Sequence, residues 1–275
     1  MKIGATYNVF DDSIEHLFDS ILSIKNNVNY ISIVYQSISN MGEQGDQDTL
    51  LLLKEIKQNN LVDEIFLYTP DMSLSPTNNE LNKRNIGLNA CRNNCCDYVI
   101  LMDSDELYMD KELSDVIKKY CINESFDAIF CKMYTYYKYK NIILDPLEDY
   151  FVPVLYKIDE HSMLHYKYIS PVTVDPTRIL NNINKYIVCE QHEIMMHHLS
   201  YVRKNIRRKL ENSSARINYN KYINELVDYY NNWEIGMPAK VAGITIKQYN
   251  TKEVNYCLTK DQTASSLKLL WSDSH

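Results

Sequence analysis

Tyr98-Val99-Ile100-Leu101-Met102-Asp103-Ser104-Asp105-Glu106 is a short apolar run that ends in three carboxylates. A continuous apolar run of this length, bounded by polar residues, is the pattern of a strand buried on both faces, as in a parallel sheet. Asp103 and Asp105 stand two apart, so on an extended backbone they point to the same side. The end of such a strand opens into the ligand crevice of an α/β sheet. Two hard oxygen donors this close suit Mg2+ or Mn2+ beside a phosphate-bearing ligand. An isolated D-x-D is also a common acidic turn, so its weight depends on its surroundings.

Working outward, residues 2–7 read as a first strand, and Asp12 with Glu15 marks the start of a helix. Ile14, Leu17, Phe18, Ile21 and Leu22 follow at one-face helical spacing. Residues 30–35 give a second strand, Asp46 or Asp48 opens a second helix through Ile56, and 64–68 give a third strand. A third helix spans Asn79 to Cys96, ahead of the fourth strand at 98–102. Strands returning every ~30 residues with helices between them predict an α/β fold, a mostly parallel central sheet flanked by helices. The crevice rule then directs attention to Thr6–Asn8, Gln36–Asn40, Thr69–Asp71 and Asp103–Glu106.

After Asp127 the pattern changes. Residues 127–137 read as a strand, 145–150 as a loop, and 151–157 and 164–174 as further short strands of a mixed β half. From Tyr201 the chain turns basic, with Arg203, Lys204, Arg207, Arg208 and Lys209, and reads as one long polar helix to about Trp233 with a weakly patterned tail. No Gly/Ser/Pro linker separates 204–275 from 1–203, so this helical extension is expected to pack on the same body.

Hydrophobic residues make up 45% of the 275 and charged residues 24%, enough for a sizeable core. A net charge of −7 excludes nucleic-acid binding through the overall field. Tyrosine occurs 23 times against 6 Phe, which suits sugar and nucleotide surfaces but also follows from AT-rich coding. The seven cysteines contain no C-x-x-C pair, and Cys91, Cys95 and Cys96 fall in the third helix, so reduced thiols of a cytoplasmic protein are expected. No secretory leader precedes the first strand, and no apolar run approaches the ~18 residues of a membrane span, leaving peripheral membrane contact at most.

Lys83-Arg84-Asn85-Ile86-Gly87-Leu88-Asn89-Ala90, then Asp97 and the strand ending Asp103-Ser104-Asp105-Glu106, resembles the central signature of family-2-type GT-A glycosyltransferases. The resemblance covers 1–106 as architecture and 83–106 as motif. It implies a GT-A (Rossmann-like) domain over 1–203, with a nucleotide-sugar-binding half (1–106) and an acceptor half (107–203). It also implies a nucleotide-sugar donor (UDP favoured), Mn2+ or Mg2+, and transfer of a hexosyl or related sugar to a glycan, lipid-linked or other hydroxyl acceptor.

By the same resemblance Asp105 binds the metal directly, while Asp103 contacts the ribose or a metal-bound water, with Ser104 between them. Arg84 approaches the nucleotide, and Thr6 and Tyr7 hold the base. The second strand departs from the family pattern by ending Tyr35-Gln36-Ser37, placing neutral Gln36 where an acidic residue often grips the uracil. The segment His198-Leu199-Ser200-Tyr201-Val202-Arg203 resembles the one that supplies a late metal-binding histidine, which selects His198 over His197. Arg203, Arg207 and Lys209 would then bind the diphosphate, although a solvated basic helix face reads equally well.

An inverting transferase needs a carboxylate base, and Asp145, Glu148 and Asp149 are the first candidates, with Glu190 and Glu193 behind them. Tyr134, Tyr136, Tyr137 and Tyr139 offer stacking surfaces for an acceptor sugar or simply an alternating strand. Other functions meet obstacles. His192-Glu193 with His197 is not H-E-x-x-H. A sugar nucleotidyltransferase needs a Gly-rich loop where this chain has Thr6-Tyr7-Asn8-Val9-Phe10, and a D-x-D phosphatase carries its carboxylates after the first strand. A non-catalytic sugar- or nucleotide-binding protein of the same fold is the remaining alternative.

Overall fold

A computed structural model describes residues 1–11, 14–123 and 125–254. The first half alternates as the apolar runs predict: β1 (Ile3–Val9), α1 (Leu17–Ile24), β2 (Tyr30–Tyr35), α2 (Gln47–Gln58), β3 (Glu64–Leu67), α3 (Pro76–Asn93) and β4 (Tyr98–Asp103). These four strands are parallel neighbours, and the β1–β4 register sets Asn8 beside Asp103. The chain runs outward from β1 through β2 to β3, then returns to place β4 on the other side of β1. That reversal creates the crevice at the carboxyl ends of the strands.

Helix limits follow local chemistry. Asp46 caps α2 by accepting from the Asp48 N–H, and Ser75 caps α3 by accepting from Asn78 N–H, with Pro76 in the first turn. The helix expected from Asn79 therefore begins at Pro76. It ends at Asn93, short of Cys95 and Cys96, where Cys95 takes the left-handed conformation (φ 54°) just beyond the Asn94 cap. Asp12, read as the acidic start of the first helix, lies outside the described residues, and α1 itself begins at Leu17.

The strand expected over 127–137 is two strands. After β5 (Glu106–Leu107) and α4 (Asp110–Val116), β6 (Ala128–Cys131) joins the first sheet and β7 (Met133–Tyr137) joins a second. Lys132 is the hinge between them, its ammonium 4.0 Å from the centre of the Phe151 ring. Next come β8 (Ile142–Asp145) and β9 (Val152–Lys157). Residues 164–174 form no strand, only an isolated Leu164–Leu180 bridge, in a stretch that contains Pro171 and its missing donor. β10 (Tyr186–Val188) and β11 (Met196–Tyr201) follow.

The long helix expected after Tyr201 breaks into α5 (Ile206–Asn212), α6 (Arg216–Tyr219) and α7 (Ile223–Asn231). Ser213 is extended, and its hydroxyl accepts from the Ala215 N–H in place of continued helix. The tail is not featureless either: β13 (Lys247–Glu253) pairs antiparallel with β8, and β12 (Ala239–Val241) pairs antiparallel with β13, extending the second sheet.

The seven-stranded sheet has the order β10-β6-β9-β4-β1-β2-β3 and the six-stranded one β12-β13-β8-β7-β11-β5. The main core lies under the first sheet, with Tyr7, Ile31, Ile33, Ile100 and Met102 fully enclosed. A separate cluster of Tyr137, Tyr201, Tyr230 and Trp233 fastens α5–α7 to the second sheet. No described helix is long and apolar enough to cross a membrane.

Gly87 sets the closeness of α3 to β1, because a Cβ there would stand 1.8 Å from Thr6 Oγ1. Gly87→Ala is expected to destabilise the protein by about 1–3 kcal/mol through overpacking. Urea unfolding should show a lower midpoint with an unchanged slope.

Candidate active site

The crevice contains a cavity of about 280 Å³, bounded by Asn8 from β1, Gln36 and Asn40 after β2, and Asp103-Ser104-Asp105 after β4. Glu80 and Lys83 of α3 and Asp175 add to its wall, His198 and Ser200 come from β11, and Lys209 with residues 212–214 covers it. The D-S-D turn lies where the chain leaves the first sheet as β4 and enters the second as β5. β5 pairs with β11, setting His198 opposite Glu106, while Leu199 N–H donates to the Asp105 carbonyl at 2.8 Å. This register brings His198 Nε2 within 3.7 Å of Asp105 Oδ1. His197 points the other way, its Nδ1 2.8 Å from the Tyr136 hydroxyl, and burial lowers its pKa to about 4.

Four guanidinium and ammonium groups compensate the two aspartates. Asp103 accepts from Arg178 at 2.6 Å and from Arg84 at 3.1 Å. Arg178 also grips Glu106 with both nitrogens, at 2.6 and 3.1 Å, and Glu106 accepts from the Asp103 N–H at 2.9 Å. Asp105 accepts from Arg203 at 2.5 Å, with Lys209 at 3.8 Å. Burial alone would raise both aspartates. Arg178 and Arg84 around Asp103, and Arg203, His198 and Lys209 around Asp105, override it and hold both well below the usual carboxylate range. Glu106 is shifted the other way, because burial outweighs Arg178 and Asp103 repels its charge.

Among the described residues, four buried polar atoms of wall residues, Asn8 Oδ1, Asp103 Oδ1, His198 Nδ1 and Asn212 Nδ2, have no hydrogen-bond partner, although Asp103 Oδ1 lies 3.0 Å from the Arg84 guanidinium. Orphaned groups of this kind cost about 1–3 kcal/mol each, which stability alone would not retain.

The fold thus gathers Gln36, Asp103, Ser104, Asp105 and His198 on one wall. It sets four other expected residues behind that wall. Thr6 packs against Gly87, and Arg84 and Arg203 are buried in ion pairs with the aspartates. Tyr7, expected to hold the base, instead lies in the core on the opposite side of β1, its hydroxyl accepting from Ser20. Alternation along the strand sends Tyr7 one way and Asn8 the other, so Asn8 holds the wall position. Asp145, Glu148 and Asp149 are not among the lining residues. Asp145 is exposed and paired to β13, while Glu148 accepts from Thr135 Oγ1 at 2.5 Å. Glu193 binds Lys119 and Tyr120 instead.

Arg178, Asp175 and Glu80 escaped the sequence reading, whereas Asn8 fell within the Thr6–Asn8 segment and Lys83 within the 83–90 motif, neither with a role of its own. The only signal was Asp175-Pro176, a turn start that leads to a single-turn helix, Pro176–Arg178.

Fold and pocket together define an α/β protein with a charged crevice at the switch point of its parallel strands. No family model and no curated protein matches the chain. Among solved structures it is similar to TarS of S. aureus. TarS 1–349 gives a TM-score of 0.47 at 12% identity, covering 83% of this chain and 72% of that one. TarS itself gives 0.46 at 13% identity, covering 80% and 40%. The complex of TarS 1–349 with UDP-GlcNAc gives 0.37 at 16% identity over 49% of this chain, which spans only 35% of that chain's length. The functional reading rests on the pocket.

Arg178→Gln leaves buried Glu106 without its bidentate partner and is expected to cost about 3–5 kcal/mol at pH 7. Because protonation removes the stranded charge, part of that loss should return at pH 5. Urea unfolding of wild type and variant at both pH values checks the magnitude and the sign.

Proposed function

We propose that the chain is a metal-dependent glycosyltransferase that moves a hexosyl or related sugar from a nucleotide sugar, UDP-linked by preference, to a hydroxyl acceptor. The observation that carries this reading is the convergence of Asp105, in the turn after β4, and His198, on β11, at the crevice where β4 ends.

The donor set fits a divalent cation. Asp105 gives Oδ2 to Arg203 and turns Oδ1 toward His198, and a 3.7 Å separation suits two ligands on ~2.1 Å bonds to one ion. Among the described residues no group of three or more His, Cys, Asp or Glu converges into a full cage. That agrees with Mg2+ or Mn2+ held by one or two side chains and by substrate phosphates. Charge supports it as well. Among the described residues, Glu80, Asp103, Asp105, Glu106 and Asp175 stand against Lys83, Arg84, Arg178, Arg203 and Lys209, five formal charges against five. A bound diphosphate would tip this balance negative, and a dication restores it.

In this reading His198 and Asp105 hold the ion, with Asp103 beside them. Bound there, it offsets the charge that develops on the diphosphate leaving group. Lys209 and Lys83 face the phosphates. Gln36 donates through Nε2 to Ile38 O at 2.9 Å and to Asn40 Oδ1 at 3.2 Å, which leaves Oε1 to accept from a base N–H next to Phe10.

Donor binding tests the proposal. UDP-glucose, UDP-galactose and UDP-GlcNAc are each added with and without Mn2+ while the melting temperature is followed. At least one should raise it, only with Mn2+. His198→Ala should remove that rise while melting at nearly the wild-type temperature without ligand. If no nucleotide sugar stabilises the protein and none is turned over, the reading is wrong.

A further inference from the structure

We propose that Asp175 is the general base of the transfer. This inference rests on the transferase reading and adds the residue that it lacks.

Four carboxylates reach the pocket wall: Glu80, Asp103, Asp105 and Asp175. Three are committed elsewhere. Asp103 lies between Arg84 and Arg178, and Asp105 is held by Arg203 on the side away from His198. Glu80 is paired with Arg84 at 2.8 Å and is partly buried. A carboxylate already held by a guanidinium is a poor proton acceptor.

Asp175 differs in each respect. It is exposed at the pocket, and among the described residues it forms no ion pair. Its Oδ1 accepts from both the N–H and the hydroxyl of Thr177, each at 2.7 Å, which fixes the carboxylate in orientation. Oδ2 has no protein donor among the described residues and is the oxygen available to a substrate. Thr177 is itself held by Arg84 Nε at 3.1 Å. One guanidinium therefore touches the aspartate of the D-S-D turn and the residue that orients Asp175, tying the proposed base to the donor side of the pocket. None of the carboxylates of the 145–149 loop lines this cavity, so they do not compete for the role.

The step balances. Asp175 Oδ2 takes the proton of the acceptor hydroxyl as its oxygen forms a bond to the anomeric carbon. The bond from that carbon to the phosphate oxygen breaks, and the nucleoside diphosphate leaves with the electron pair. Without an acceptor, water takes the hydroxyl's place.

The experiment follows UDP release from the UDP-sugar that best stabilises the wild type with Mn2+. Asp175→Asn keeps an oxygen for Thr177, so Mn2+-dependent donor stabilisation should persist while kcat falls about 10²–10⁴-fold. Asp175→Ser, which retains capping ability without a base, should behave alike. Residual kcat above a tenth of wild type in both variants overturns Asp175 as base and leaves the transferase reading standing. A wild type that binds or turns over no nucleotide sugar removes both.

Discussion

The buried guanidinium of Arg178 is the contact on which the pocket depends. It reaches Asp103 at the last position of one sheet and Glu106 at the first of the other, and it caps the Leu101 carbonyl at 3.4 Å. The turn between the sheets is thus set by a charge network as well as by backbone pairing. Such a pair carries a desolvation cost close to its Coulombic gain, so its value lies less in net stability than in specifying one arrangement. Here that arrangement aims Asp103 and Asp105 at the crevice while holding Glu106 behind them.

The cover of the pocket is held differently. Arg208 pairs with Asp11 and with Asp46, and Arg216 pairs with Glu43 at 2.8 Å, joining α5 and α6 to the loops around β1 and β2. Most of these groups are partly exposed, and each such pair contributes little. The larger attachment is the aromatic cluster behind α7, where Trp233 lies 5.2 Å from Tyr137, centre to centre. Ile206 and Leu210 of α5 join the same cluster, so apolar burial anchors the cover from behind while the polar pairs join its rim to the loops around the cavity.

Local pattern made the first four strands, the helices between them and the D-S-D turn legible, because each is written in neighbouring residues. The split between β6 and β7 was not, since Lys132 interrupts a run whose two halves have the same β character and differ only in which sheet they join. Nor was the break at Ser213, where a hydroxyl competes with the helix through one hydrogen bond. Arg178 and Asp175 stayed hidden for a deeper reason: a buried ion pair and a wall carboxylate are defined by partners far along the chain. The tyrosines carried less functional information than their number suggested. Tyr7, Tyr136, Tyr137 and Tyr156 fill core positions, with burial raising the hydroxyls of Tyr7, Tyr137 and Tyr156.

The choice between the two adjacent histidines shows how register becomes chemistry. A slip of one residue in β11 would send His198 into the position of His197 and turn the pocket-facing imidazole toward Tyr136. Three contacts oppose that slip: the pairing of His198 with Glu106, the Leu199 N–H on the Asp105 carbonyl, and the parallel match of His198 with Thr135. Two of them involve the acidic turn itself. The residues proposed to hold the ion therefore also fix the strand that delivers their partner, so the fold at this point and the site are one set of interactions.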